Sequence, residues 1–350
     1  MERWVGTGQT PRRTRMATTI WVLAVSANVF FPARGVRSAI ASDGPFCGFD
    51  QKQEVTAPGV VGYGYCVALS ADHAVMGSET EVVHVFYRSD PGTAGERADD
   101  QWVHQAELRS ADEPVGNRGF GLAVALSGDW LLVGAPFDDD LCANDAQCNS
   151  GAAYMFLRDD HGTPAVPDDD TWIRKARLLP PDRAEDDYFG VSVALKGNEA
   201  VIGAYLNDDA CVNDRYCDSG SVYVFRRHDG GTPGDPHDDT WHFSSKLTAS
   251  DAAPKENFGW RVDLDVDRMA VSAIHDYGPG AVYVFRRSGN GISWIEETKI
   301  AAPAEYGSSE FGIAIALHGQ YLAIGAYDTG INNRQSAGDA FVYYLHDGGT

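Results

Sequence analysis

Two loops carry most of the residues with chemistry to offer. FDDDLCANDAQCNSG (137–151) and LNDDACVNDRYCDSG (206–220) align at Asp139/Asp208, Asn144/Asn213 and Asp145/Asp214, and each encloses a C-x5-C pair. Carboxylate oxygens at this density suit a hard cation that takes about six to eight ligands. Calcium is therefore one expectation, held weakly by Asp138, Asp139, Asp140 and Asp145 on the first loop and by Asp208, Asp209, Asp214 and Asp218 on the second. The plain alternative is a solvated acidic loop on an acidic protein. The cysteine spacing closes a small ring if Cys142 bonds Cys148 and Cys211 bonds Cys217. Such a staple acts mainly by restricting the unfolded chain. A zinc–thiolate reading has little behind it, because no second cysteine pair or histidine cluster stands at ligand spacing. The two remaining cysteines, Cys47 and Cys66, are expected to bond each other.

Catalytic patterns are missing. The chain contains no G-x-S-x-G, H-E-x-x-H, P-loop or dinucleotide G-x-G-x-x-G segment. Its ten histidines are scattered: His84 stands where other repeats carry a strand tyrosine, and His318 sits in a hairpin turn. Both read as packing or surface residues. Paired carboxylates for glycoside chemistry are defined by separation in space, so their abundance here carries no information. The expectation is a protein that is not an enzyme.

The elements that position these loops repeat in fixed register. Five segments align without gaps: YGYCVALSADHAVMGS from Tyr63, FGLAVALSGDWLLVGA from Phe120, FGVSVALKGNEAVIGA from Phe189, FGWRVDLDVDRMAVSA from Phe258 and FGIAIALHGQYLAIGA from Phe311. The second residue is always glycine (Gly64, Gly121, Gly190, Gly259, Gly312), and thirteen residues later stands Gly77, Gly134, Gly203, Ser272 or Gly325. Alternating apolar residues around a short polar turn predict a tight hairpin in each. An aromatic strand follows: VVHVF, AAYMF, SVYVF, AVYVF and AFVYYL. Then comes a strand led by Trp102, Trp172, Trp241 or Trp294, placed 18 or 19 residues before the next FG glycine. Four short strands per unit, each sheet unable to bury both its faces, predict an all-β propeller of four-stranded antiparallel blades. Lys52–Ala57 resembles SSKLTA (244–249) and is expected to complete the fifth blade; a fragment of a six- or seven-bladed ring is the alternative.

Phe-Gly followed by Gly-Ala-Pro in this register resembles the FG-GAP repeat of the integrin α-subunit propeller and of many secreted microbial proteins. Phe120-Gly121 with Gly134-Ala135-Pro136 matches in full, and the units beginning at Phe189 and Phe311 are close. The resemblance implies an extracellular binding or adhesion propeller in which the Phe and Pro residues pack. Integrin repeats that bind calcium do so between FG and GAP. Here that connection is S-G-D-W, K-G-N-E, D-V-D-R or H-G-Q-Y, too short and too poor in carboxylates for those sites to carry over.

Residues 1–41 are read separately. Arg12, Arg13 and Arg15 precede an apolar run over 20–31 and a small-x-small stretch ending at Ala41, the pattern of a cleaved signal peptide, and leave 42–350 as the propeller. Removing 1–41 takes away six basic residues and one acidic one, and carries the net charge from −22 to −27. That balance excludes nucleic acid, whose phosphates need clustered Lys and Arg. No other run is long enough to span a bilayer. The 38 glycines, about 11% of the chain against about 7% on average, belong largely to the repeat turns. The expected function is a secreted or cell-surface propeller presenting its acidic, stapled loops to an extracellular protein or glycan. A structural scaffold and an extracellular glycan-active enzyme are the alternatives.

Overall fold

Alternation over each FG-to-GA segment gives two strands joined by a polar turn, and the next two strands of every unit hydrogen-bond onto them in order. The computed structural model describes residues 64–90, 100–110, 118–139, 148–163, 166–211, 214, 216–274, 278–289, 291–304, 310–329 and 337–346, with Gln53 and Val55. The predicted signal peptide, Cys47, Asp140, Cys142, Asp145 and the rest of 52–57 lie outside the described residues.

Blade 1 is β1 (Val67–Leu69), β2 (His73–Gly77), β3 (Val83–Ser89) and β4 (Gln101–Leu108). Blade 2 is β5 (Ala123–Ser127), β6 (Trp130–Ala135), β7 (Ala152–Asp159) and β8 (Thr171–Leu178). Blade 3 is β9 (Ser192–Lys196), β10 (Glu199–Ala204), β11 (Ser221–His228) and β12 (Thr240–Leu247). Blade 4 is β13 (Phe258–Leu264), β14 (Arg268–Ala273), β15 (Ala281–Arg287) and β16 (Trp294–Ala301). Blade 5 shows three strands among the described residues, β17 (Phe311–His318), β18 (Tyr321–Thr329) and β19 (Ala337–Tyr344). The result is a five-bladed, antiparallel β-propeller, with one 3-10 turn at Pro167–Asp169 among the described residues.

Burial follows the expectation that no blade is self-sufficient. The apolar clusters lie between blades: one joins blades 1 and 2, the next blades 2 and 3, then 3 and 4, then 4 and 5. The FG phenylalanines are packing residues. Phe120, Phe189, Phe258 and Phe311 are fully buried and meet the aromatic strand of their own blade edge-on, at 5.5, 5.4, 5.3 and 5.4 Å from Tyr154, Tyr223, Tyr283 and Phe341. That geometry suits the ring quadrupoles.

The two glycines of each repeat meet across the joints. A Cβ on Gly77 would stand 1.9 Å from the carbonyl oxygen of Gly121, one on Gly134 2.0 Å from that of Gly190, and one on Gly203 2.0 Å from that of Gly259. Glycine here spaces one blade from the next by the thickness of a backbone. At the fourth joint Ser272 takes the glycine's place, and its Oγ accepts a hydrogen bond from the Arg261 backbone N–H at 3.0 Å.

Acidic residues stand just before three of the Trp-led strands. Asp100, Asp170 and Asp239 each hold an arginine at the end of the aromatic strand: Arg88 at 2.7 Å, Arg158 at 3.0 Å and Arg227 at 3.1 Å. Each arginine also reaches the hairpin turn of its own blade, at Asp72, Asp129 or Asn198. The side chain of Gln53 accepts from the Trp102 backbone N–H at 2.8 Å and donates to its carbonyl at 2.9 Å. Gln105 of β4 is bonded in turn by the Trp172 indole of β8 at 2.8 Å, so Gln53 stands beside blade 1 much as the outer strand of blade 1 stands beside blade 2.

Candidate functional site

The stapled loops are clasps between blades. Cys211 and Cys217 are disulfide-bonded with Cα atoms 5.8 Å apart, and Cys148 is disulfide-bonded as well, the position of its expected partner Cys142 lying outside the described residues. The carbonyls of Cys148 and Asn149 accept from the backbone N–H groups of Asp186 and Tyr188, in the segment leading into blade 3. Those of Cys217 and Asp218 accept from Lys255 and Asn257, leading into blade 4. Loops and lead-in segments therefore share one end of the ring, as the alternation of connections requires.

Their carboxylates are committed to that scaffolding. Asp138 is buried and accepts from Arg118 Nη1 at 2.9 Å, from the Tyr154 hydroxyl at 2.9 Å and from Arg177 Nη2 at 2.5 Å. Asp139 closes its own loop by accepting the Asn149 N–H at 2.7 Å, and Asp208 repeats the contact with the Asp218 N–H at 2.8 Å. Asp209 pairs with Lys246, Asp218 with Lys255, and Asp214 accepts the Tyr216 N–H at 3.1 Å. Among the described residues none of these six joins a group of three ligand atoms close enough for one ion. The oxygens that calcium would need at these six positions are bonded to cations and backbone amides of the protein.

Cys66 has a place of its own in the ring. Its thiol is free, buried, and donates to the Gly121 carbonyl at 2.9 Å, and the position of its expected partner Cys47 lies outside the described residues. Ser192 stands at the same repeat position in blade 3 and its hydroxyl donates to the Gly259 carbonyl at 2.8 Å. Cys66 is thus a joint residue of the ring. Burial pushes its thiol up to about 12, far from the thiolate needed for reaction. Native protein should leave Cys66 unalkylated by iodoacetamide at about pH 8, with labelling only after denaturation. Peptide mapping checks this; native labelling, or a Cys47–Cys66 peptide in the unreduced digest, would overturn it.

The inner edges of all five blades surround a central cavity of about 240 Å3. Its wall is apolar except for a few positions. The fourth residue of each FG segment forms a ring of Cys66, Ala123, Ser192, Arg261 and Ala314, of which the first four line the cavity. Arg261 and Asp263, both on β13, are the charged residues of the described wall. Asp263 accepts backbone N–H groups from Leu264 at 2.8 Å and from Leu317 of blade 5 at 2.6 Å, and burial raises its carboxyl. The Arg261 guanidinium lies 5.5 Å from the Trp260 ring, and its Nη1 donates to the Trp260 carbonyl at 3.1 Å. Its Nε and Nη2 are buried without a hydrogen-bond partner among the described residues. Burial pushes this guanidinium down to about 10, so it stays charged at neutral pH. Beside it, Tyr205 and Trp260 meet edge-on at 4.8 Å, and Tyr188 and Phe137 continue the aromatic row at 5.6 and 5.7 Å toward blade 2. Arg261 was legible as the single charged residue at a position otherwise held by Cys, Ala, Ser and Ala.

These features define a five-bladed propeller with joints closed by paired glycines and a cation in its channel. The FG-GAP repeat family profile matches residues 102–156, 172–225, 241–285 and 294–343, more than half of the chain, and the protein belongs to that family. No curated protein sequence matches it. Among solved structures it is similar to the crystal structure of Saccharomyces cerevisiae Sqt1, at 9% identity and a TM-score of 0.41, over 83% of this chain and 63% of that one. No helix of the described residues is long and apolar enough to cross a membrane.

Proposed function

We propose that this chain is an exported, non-catalytic binding propeller whose central channel receives an acidic group of an extracellular protein or glycan. The observation that carries the reading is Arg261, a cation of the channel wall whose Nε and Nη2 have no hydrogen-bond partner among the described residues. Burying a charge without a partner is costly, and such groups are retained where a ligand completes them. A carboxylate fits the two parallel donors of a guanidinium. A passive scaffold would have no use for that arrangement. Glycan hydrolysis would call for a second carboxylate or a histidine near Asp263, whose oxygens already accept two backbone amides. Export is supported by the signal-like N-terminus and by the disulfides of the stapled loops, which suit an oxidising compartment.

An array of acidic and neutral glycans and peptides tests the reading with the unmodified chain and Arg261→Gln. Acid-bearing probes should bind, and Arg261→Gln should weaken them at least about tenfold while the melting temperature holds or rises. Binding unmoved by Arg261→Gln, or confined to neutral probes, would refute it.

A further inference from the structure

Blades 2, 3 and 4 repeat a small polar device on their outer strands. A tyrosine of the third strand lies under a cation of the fourth: Arg177 over Tyr154 at 5.9 Å, Lys246 over Tyr223 at 5.1 Å and Lys299 over Tyr283 at 4.9 Å. Each cation in turn pairs with an aspartate of the loop end, Asp138, Asp209 or Asp251. Blade 1 inverts the chemistry at the same register. His84 replaces the tyrosine, and Glu107 stands opposite it where the cation should be. A β-bulge after Val85 sets His104 opposite Phe86, so all three side chains share one face of the sheet.

From that juxtaposition we propose that His84, His104 and Glu107 form a binding site for a divalent transition metal of the zinc class. His84 Nδ1 lies 3.3 Å from His104 Nε2 and 4.0 Å from Glu107 Oε1, and the three ligand atoms all fall within 4.8 Å of one another. Metal–ligand bonds of about 2.0–2.1 Å in a tetrahedron put neighbouring ligand atoms about 3.3 Å apart, which is the separation of the two imidazole nitrogens. The carboxylate needs only a small rotation, and its side chain is half exposed. Arg109 lies 3.5 Å from Glu107 Oε2, which leaves Oε1 turned toward the histidines, an orienting contact from outside the ligand set. His84 is buried while His104 and Glu107 are exposed, so the metal would sit at the surface with one position open to water or a ligand. Two imidazoles and one carboxylate favour zinc, copper or nickel over calcium. The site is independent of Arg261 on blade 4 and stands on the two outer strands of blade 1.

The test uses the full chain, untagged and stripped with chelator, titrated with zinc by calorimetry and with cobalt by visible absorption. One zinc per chain should bind, cobalt should give the strong bands of a four-coordinate site, and the melting temperature should rise with added zinc. His104→Ala should weaken binding at least about tenfold. His84→Tyr restores the residue of the other blades, should keep the apo melting temperature, and should also abolish the cobalt bands. Failure of the parent chain to bind zinc stoichiometrically would overturn the proposal. So would parent-like affinity in His84→Tyr and His104→Ala, which would leave the histidine pair as a hydrogen bond between rings.

Discussion

Gly134→Ala is expected to prevent the ring from closing. The new Cβ would lie 2.0 Å from the Gly190 carbonyl oxygen and 3.0 Å from its carbon, and both belong to the backbone of the next blade. No rotamer change relieves a contact with main chain, so two blades must separate along a buried joint. A loss of about 3 kcal/mol or more follows, at the upper end of overpacking costs. Gly128→Ala is the comparison. Gly128 has φ 60° but nothing within 4 Å of an added Cβ, so only the left-handed backbone is strained, at about 1–2 kcal/mol. Thermal and urea unfolding of the two variants would separate them. A Gly134→Ala protein melting close to the parent would show that backbone contact does not set the blade spacing.

Asp138→Ala should be the most damaging change at the stapled-loop end. Its carboxylate binds Arg118 from the lead-in segment, Tyr154 from β7 and Arg177 from β8. Removing it takes a buried carboxylate from two guanidinium groups in a place where water reaches them poorly. Breaking a buried ionic cluster from one side costs about 3–5 kcal/mol. Asp139→Asn, next along the chain, touches only the Asn149 amide and keeps an acceptor, so about 1 kcal/mol is expected. Equal losses in the two variants would mean that the loop fold, rather than the charge cluster, is what Asp138 supports.

Much of this molecule is written in its repeat. The FG and GA glycines, the hairpin between them, the aromatic strand and the Trp-led strand all lie within one unit, and local patterning finds such contacts. What crosses strands or blades does not show. Asp138 looks like one acid among several in 137–151 because its arginines stand 20 and 39 residues away. The hydrogen bond from the Cys66 thiol does not show either, because the Gly121 carbonyl that accepts it is 55 residues on. His84 is visible as an exception among tyrosines, yet its partners follow only from the pairing of β3 with β4 and from a one-residue bulge. The useful signal throughout is departure from the repeat: His84, Arg261 and Ser272 each break a rule that the other units keep.

The ring formed by Cys66, Ala123, Ser192, Arg261 and Ala314 has a wider consequence. Because the blade spacing rests largely on main chain, the bore of the channel is nearly independent of which side chains face it. The five positions are equivalent in the repeat: Cys66 and Ser192 turn their polar atoms into the joints, and Arg261 carries the charge of the ring. On the proposed reading, specificity rests on which of these positions carries a charge, and single substitutions there would shift it while the architecture stays still.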